Sequence, residues 1–137
     1  AAPVLKDQGS AAILAMTSIT VKQPLPNLVL SNSLRLGVVG LIKTLADELG
    51  PFGVRANAIC PGWTRTARVE QLLGDRAERN GTNIEEEAAK VASAVPLGRI
   101  GTPEEFAAAA AFLVSDAASY INGVSLLVDG GMARGTM

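Results

Sequence analysis

Residues 40–62, with the sequence GLIKTLADELGPFGVRANAICPG, contain the end of one secondary-structure element, a stop and a second element. Leucines recur every fourth residue in the first half of this stretch, which predicts a helix, and Gly50-Pro51 predicts its end through a glycine cap. Residues 54–60 are mostly small or apolar and predict a buried strand, which Pro61-Gly62 closes. The stretch therefore predicts a helix that packs beside one strand of a sheet.

Strands and helices alternate on both sides of this stretch. Residues 11–16 form a short apolar run that ends in Thr17-Ser18, and apolar residues recur at helical spacing throughout residues 28–49. A last apolar run, residues 124–128, precedes Asp129-Gly130-Gly131. Alternation of this kind predicts a parallel sheet with right-handed crossovers and helices on its faces, which is the doubly wound α/β class.

Three predicted helix starts carry a capping side chain, and two of them have an acid three residues later. They are Thr66, Thr82 with Glu85, and Thr102 with Glu105. The first helix is predicted to run to about Asn80, where Gly81 ends it, and the other two starts have the spacing of a capping box. The acidic run 85–87 beside Lys90 predicts a solvated helix face without a chemical role.

Composition excludes several classes of function. The 12 lysine and arginine residues nearly balance the 13 aspartate and glutamate residues, so the chain lacks the basic surface that binds nucleic acid or an anionic membrane. It contains no histidine, which excludes Ser-His-Asp and Cys-His catalysis and histidine-ligated metal within this chain. Cys60 is its one cysteine, which excludes an internal disulfide and indicates a cytoplasmic location. The sequence contains no run of about 18 consecutive apolar residues, so it predicts no membrane-spanning helix.

Several motifs, in the same order, resemble the closing segments of classical short-chain dehydrogenase/reductases. They are residues 40–49, residues 53–59 with Pro61-Gly62 and Thr66, residues 96–99, residues 101–105, Asn122-Gly123 and residues 128–131. The resemblance covers nearly the whole chain and implies a Rossmann-like fold, seen as its C-terminal half only. It implies one domain portion over residues 1–137, in which the helices of residues 66–95 form a lid over the substrate.

The family resemblance also assigns catalytic positions. Ser18 ends the strand that carries the family's catalytic serine, so the resemblance implies that it binds the substrate carbonyl oxygen. The family's tyrosine and lysine fall where this chain has Ser31 and Arg35, an atypical pair. Residues four apart share one helix face, so both side chains are expected to project into one cleft. An aliphatic alcohol is a far weaker acid than a phenol, so Ser31 is either a modified catalytic or substrate-contacting residue or a surface serine without a role.

The turn after the second strand is the predicted cofactor loop. The resemblance implies that Pro61, Gly62, Thr64 and Thr66 contact the nicotinamide end of NAD or NADP. Arg35 keeps its charge and is expected to hold a ribose or a phosphate of the same cofactor. Dinucleotide binding also needs a first strand, a glycine-rich turn and a helix N-terminus, which this sequence does not contain. We therefore expect a missing N-terminal half to supply most of the cofactor site.

Two functions from different classes follow from these observations. The first is an NAD(P)-dependent oxidoreductase that acts on a small-molecule carbonyl or secondary alcohol, with these residues as part of a longer chain; the start without methionine favours it. The second is a non-catalytic remnant that acts as an oligomeric binding or structural protein, which the absent tyrosine favours. In both cases the wide apolar surface of helix 28–49, with strand 124–128, predicts a homodimer or homotetramer.

Overall fold

The computed structural model describes residues 2–135, which form three parallel strands and five helices. In chain order, the elements are α1 (Ala2–Gln8), β1 (Ala11–Met16), α2 (Val29–Leu49), β2 (Val54–Pro61), α3 (Ala67–Asn80), α4 (Ile84–Ser93), α5 (Pro103–Val114) and β3 (Ser125–Val128). Short 3-10 turns lie at Ile19–Val21, Gly50–Phe52 and Asp116–Ala118. This order confirms the doubly wound α/β class that the sequence predicts.

The sheet has the strand order β1-β2-β3, and both pairings are parallel. Ala11 of β1 faces Val54 of β2, and Met16 faces Ile59, so these two strands end side by side. Pro61, at the end of β2, faces Val128 at the end of β3. The carboxyl ends of all three strands therefore lie along one edge of the sheet, where this class of fold binds its ligands.

Strand β2 is the centre of the core. Its small and apolar side chains from Val54 to Cys60 are buried, apart from a partly exposed Arg55. Ala56 and Ala58 pack against Ile42 and Ala46 of α2, because small side chains allow the helix to approach the sheet closely. The strand reads as a continuous buried run, as expected for a parallel strand that is covered on both faces.

Polar side chains tie β2 to the segment before β3. Asn57 is buried, donates from Nδ2 to the Ile121 carbonyl at 2.9 Å, and accepts from the Val124 amide at 3.0 Å. Asn122 accepts from the Ala56 amide at 2.8 Å. These bonds satisfy buried backbone groups that no neighbouring strand reaches, and they explain the Asn122-Gly123 motif physically.

Two of the predicted caps are wrong. Gly50 has φ −53° and continues into a 3-10 turn, while Gly53, at φ 73°, makes the left-handed reversal before β2. Helix α4 is capped by Asn83, whose Oδ1 accepts from the Glu86 amide at 2.9 Å, and not by Thr82. The capping box of Thr102 with Glu105 is confirmed, because each side chain accepts from the other's backbone amide.

The outer surface of α2 is apolar. Leu30, Leu34 and Leu41 are 71%, 69% and 56% exposed, although the helix buries Ile42 and Leu49 against the sheet. By length and composition alone, Val29–Phe52 would be long enough to cross a bilayer. Charged residues such as Arg35 and Lys43 divide its apolar sequence, although the helix itself is continuous from Val29 to Leu49. Its exposed leucines form an apolar surface that residues 2–135 leave uncovered.

Candidate active site

A cleft of about 430 Å³ lies at the carboxyl ends of β1 and β2, between α2 and α3. The residues that line it come from four parts of the chain. They are Met16, Thr17, Ser18, Arg35, Pro61, Gly62, Thr64, Thr66, Arg68, Val69, Pro103 and Phe106. Every predicted site residue except Ser31 is therefore brought into one cleft.

Ser18 is held with its hydroxyl oriented by the backbone. It follows β1 directly and caps the 3-10 turn Ile19–Val21, so that its Oγ accepts a hydrogen bond from the Thr20 amide at 3.2 Å. The main chain thus uses one lone pair of Oγ and leaves its O–H free to donate. A free O–H donor in the cleft suits the binding of a carbonyl or alcohol oxygen.

Ser31 does not line the cleft. It is half-buried in the first turn of α2, and its Oγ lies 3.4 Å from Oγ1 of Thr20, which is 3% exposed. Thr20 therefore contacts both Ser18, through its amide, and Ser31, through its hydroxyl. The short Ser31 side chain ends beside the Ile19–Val21 turn and does not extend into the cleft.

Arg35 lines the cleft and contacts the end of β1. Its Nη1 donates a short hydrogen bond to the Thr17 carbonyl, so the guanidinium is anchored beside Ser18. Guanidinium carries five N–H donors, and this bond uses one of them. Arg35 can therefore hold a further acceptor in the cleft without losing its contact with the strand.

The predicted cofactor loop is held by close backbone packing. A Cβ at Gly62 would lie 2.6 Å from Cβ of Asp129, so only glycine allows the ends of β2 and β3 to approach this closely. Thr64 forms a parallel bridge with Gly101, and the Arg65 amide donates to the Gly101 carbonyl at 2.8 Å. Thr66 then caps α3 by accepting from the Val69 amide.

Thr17, which lines the cleft, contacts the buried Cys60. Their Oγ1 and Sγ atoms are 3.1 Å apart, and both residues are buried. Burial raises the pKa of the Cys60 thiol above its ordinary value, although the bond with Thr17 lowers it in part. The thiol is therefore a neutral packing group and a poor nucleophile.

Six residues that line the cleft were not among the predicted site residues: Met16, Thr17, Arg68, Val69, Pro103 and Phe106. Arg68 is in the first turn of α3, two residues after Thr66, and Phe106 comes from α5. The position of Arg68 in the first turn of the helix that Thr66 caps was a usable signal, because that turn follows the cofactor loop directly. No local signal placed Phe106 there, since α5 reaches the cleft only through the packing of the sheet.

Helices α3 and α4, which the sequence assigns to a lid, contact each other, and α3 also contacts the cofactor loop. The Arg76 guanidinium lies 5.1 Å from the ring centre of Trp63, so α3 contacts the loop outside the cleft. Glu87 of α4 is 4% exposed and accepts from Lys90 at 2.6 Å, Thr82 at 2.8 Å and Asn80 at 3.1 Å. The solvated position predicted for the run 85–87 is therefore wrong for Glu87. Its hydrogen bonds connect the end of α3 to α4.

Comparison with known proteins gives consistent results. The model of the enoyl-(acyl carrier protein) reductase family matches residues 1–133. The 3-oxoacyl-[acyl-carrier-protein] reductase FabG of Chlamydia trachomatis is 39% identical over 131 residues, which are 96% of this chain and 48% of that protein. The chain spans less than half of the length of the curated relatives that it matches, 37% to 48% for four of them.

Two solved structures extend this likeness to the fold. L-sorbose reductase from Gluconobacter frateurii, in complex with NADPH and L-sorbose, has a TM-score of 0.92 at 31% identity, over 98% of this chain and 51% of that one. An NADPH-bound short chain oxidoreductase from Pseudomonas aeruginosa, described as containing an atypical catalytic center, has a TM-score of 0.82 at 33% identity, over 98% and 50%. From its sequence motifs, its parallel sheet and these matches, the chain belongs to the short-chain dehydrogenase/reductase family.

Proposed function

We propose that the protein containing this chain is an NAD(P)-dependent oxidoreductase that acts on a small-molecule carbonyl compound or secondary alcohol. The observation that carries this proposal is the single cleft that unites Ser18, Arg35 and the loop of Pro61, Gly62, Thr64 and Thr66. Relatives with this fold include NADPH complexes of a sugar reductase and of an atypical oxidoreductase, which supports the same class of reaction.

The residues present fit the nicotinamide end of such a cofactor. Gly62 allows the ends of β2 and β3 to approach closely, and Thr64 and Thr66 line the cleft directly after it. When bound, the cofactor supplies or accepts a hydride. Arg35 holds an anionic or hydroxyl group of the cofactor. We propose that a part of the protein outside this chain supplies the glycine-rich turn and the rest of the site.

Ser18 binds and polarises the substrate oxygen. Its Oγ accepts from the Thr20 amide, so its hydroxyl proton is directed to another acceptor, and the substrate oxygen is that acceptor. Such a donor stabilises the negative charge that develops on the oxygen during hydride addition to a carbonyl. Ser31 and Thr20 form a hydroxyl pair beside the turn that orients Ser18.

The alternative is a non-catalytic member of the family. It is favoured by the absence of a phenol at position 31, since an aliphatic hydroxyl is several pKa units too weak to act as an equivalent acid. Such a protein would retain the fold and the subunit contacts, and cofactor binding alone would not produce turnover. The oxidoreductase would therefore transfer hydride, and the non-catalytic family member would not.

The test uses the whole protein and the variants Ser18→Ala and Ser33→Ala. Cofactor binding is measured by titration calorimetry with NADH and NADPH, and turnover by the loss of reduced-cofactor absorbance with a panel of aldehydes and ketones. We expect Ser18→Ala to lower kcat/KM by about 100-fold. Ser33 bonds the Val29 carbonyl on the exposed side of α2, so its variant is the matched control. Cofactor binding without turnover supports the alternative, and no cofactor binding contradicts the oxidoreductase.

We also propose that the protein is a homo-oligomer in the cytoplasm. The exposed leucines of α2 form a stripe at residues 30, 34 and 41, a spacing that suits the packing of two helices against each other. Strand β3 lies at one edge of the three-stranded sheet and offers a second surface for subunit contact. The buried, unpaired Cys60 is consistent with a reducing compartment.

A further inference from the structure

Two arginines line the proposed substrate cleft, and no acidic side chain lines it. Arg35 comes from α2 and Arg68 from the first turn of α3, while the other lining residues are uncharged. The chain as a whole has a formal net charge of −1. The positive charge of the cleft is therefore a local feature of its lining and does not follow from the composition of the chain.

Both guanidinium groups keep hydrogen-bond donors for a ligand. Arg68 donates from Nη1 to the neutral Oε1 of Gln71 at 3.0 Å, and Arg35 donates to the main-chain carbonyl of Thr17. Neither forms an ion pair with a carboxylate within residues 2–135. Each guanidinium still offers several N–H donors, and its charge is not neutralised by the protein.

Neighbouring arginines behave differently. Arg65, also next to the cofactor loop, pairs with Glu70, and Arg99 pairs with Glu105 at the start of α5. This chain thus provides carboxylate partners for arginines close to the cleft but none for the two that line it. Unpaired arginines that converge on a concave site are the usual means of binding carboxylates and phosphates, because the planar fork of donors matches two oxygens of the anion.

We propose that Arg68 binds an anionic group of the substrate, either a carboxylate or a phosphate, while the charge of Arg35 adds to the positive potential of the cleft. This inference rests on the proposed function and narrows its substrates from carbonyl compounds in general to oxo acids or phosphorylated carbonyl compounds, with the corresponding alcohols. Ser18 then binds the reacting oxygen while Arg68, from the helix opposite, orients the charged end of the same molecule.

The diphosphate of the cofactor is the other anion that such a protein binds. In doubly wound folds the diphosphate lies at a glycine-rich turn and a helix N-terminus after the first strand of the sheet. Within residues 2–135, no strand is followed by a glycine-rich turn that leads into a helix. Arg68 instead shares the cleft with Val69 and Phe106, which are apolar walls suited to the carbon skeleton of a substrate.

Titration calorimetry on the whole protein tests this inference without requiring turnover. The protein is saturated with NAD⁺ or NADP⁺, whichever binds, and is titrated with two pairs of ketones that differ in charge. The pairs are 4-oxopentanoate with its methyl ester, and dihydroxyacetone phosphate with dihydroxyacetone. We expect the charged member of at least one pair to bind about tenfold or more tightly than its neutral partner, and the preference to weaken as salt is added.

The variant Arg68→Leu is expected to remove that preference. Arg79→Leu is the matched control, because Arg79 is on the same helix and donates to the Asp75 carbonyl outside the cleft. Equal binding of the charged and neutral ketones by the unsubstituted protein overturns the inference, and so does a preference that persists in Arg68→Leu. A variant that loses affinity for the cofactor alone assigns Arg68 to the diphosphate and also overturns it.

Cofactor binding distinguishes failure of the proposed oxidoreductase function from failure of the anion site. If the unsubstituted protein binds neither NAD⁺ nor NADP⁺, the oxidoreductase proposal is contradicted. The same four ketones are then titrated into the protein without cofactor. A preference for the charged members that depends on Arg68 still supports the anion site, and the lack of one overturns it.

Discussion

The Nη1 atom of Arg35 donates a hydrogen bond to the main-chain carbonyl of Thr17 and thereby joins α2 to the end of β1. The bond places the guanidinium in the cleft beside Ser18. In the proposed site, the same group then holds a ribose or phosphate oxygen of the cofactor. Anchoring through a backbone carbonyl orients the donors before the ligand arrives, which reduces the entropy lost on binding.

Replacing Arg35 with methionine is expected to raise the Kd for the reduced cofactor by about tenfold, because a charge-assisted hydrogen bond is lost while the apolar stem is kept. Arg35→Lys should lose less affinity, since it keeps the charge without the planar fork. Titration calorimetry with the whole protein measures both effects. Equal affinities for all three proteins would remove Arg35 from the cofactor site.

The double variant Ser31→Tyr with Arg35→Lys introduces the side chains that the family carries at these two positions. A phenol beside an ammonium group is a much better proton donor near neutral pH than a serine hydroxyl. We expect kcat for ketone reduction to rise by about 100-fold or more, as measured with saturating cofactor. Ser31→Phe with Arg35→Lys controls for ring size. A similar rate in both double variants would show that the phenol proton has no role.

Gly53 is expected to be intolerant of any side chain. Its φ is +73°, and a Cβ would lie 2.1 Å from the carbonyl oxygen of Gly9. Gly53→Ala should therefore lower the free energy of unfolding by more than about 2 kcal/mol, as measured by urea denaturation. Gly74→Ala, in the interior of α3, is the control. A Cβ at this position would meet only Cδ1 of Ile84, at 4.0 Å. That variant should be neutral or more stable by about 0.5–1 kcal/mol.

The Glu87 carboxylate should make the corner between α3 and α4 sensitive to acid. Its bond with Lys90, followed by those with Thr82 and Asn80, lowers its pKa from 4.5 to about 2. Because the folded-state pKa lies below the unfolded value, the carboxylate stabilises the fold fully above about pH 4.5. This contribution is lost as the pH falls from there toward about 2.

The expected consequence is a Tm of Glu87→Gln that is lower than that of the unsubstituted protein at neutral pH and approaches it as the pH falls. Glu105, whose pKa is lowered to about 2 chiefly by Arg99, titrates in the same range. Its contribution is common to both proteins and cancels in the difference between them. Glu85→Gln, on the exposed side of the same helix turn, is the control. A constant Tm difference between pH 2 and 7 would contradict the role of Glu87.

The apolar stripe of α2 is expected to mediate oligomer formation. Leu34→Glu with Leu41→Glu places two charges on exposed positions of the stripe, so the intrinsic fold should survive while helix packing between subunits is lost. Light scattering coupled to gel filtration should then report a smaller assembly. Leu97, which is 67% exposed and lies outside α2, offers the control Leu97→Glu. An unsubstituted protein that elutes as a monomer would refute the interface.

Local sequence patterns determined the order and type of the main elements. The apolar run 11–16 and the box of Thr102 with Glu105 predict a strand and a helix start that the structure confirms. The left-handed Gly81 ends α3 as predicted. These features depend on residues within one turn or one short strand. They can therefore be predicted from the sequence alone, because they depend on side-chain burial, capping hydrogen bonds and backbone sterics.

Contacts between different secondary-structure elements and loops decided the rest. Glu87 is buried because Asn80 and Thr82 reach it from the preceding helix end, and this contact leaves Asn83 to cap α4. Ser31 bonds to Thr20 beside the cleft, and Arg68 enters the cleft from α3. Which side chains meet at the edge of a parallel sheet depends on strand register and helix packing. The sequence by itself thus determined the family and the strand ends that carry the site, while the tertiary structure determined the composition and charge of the cleft.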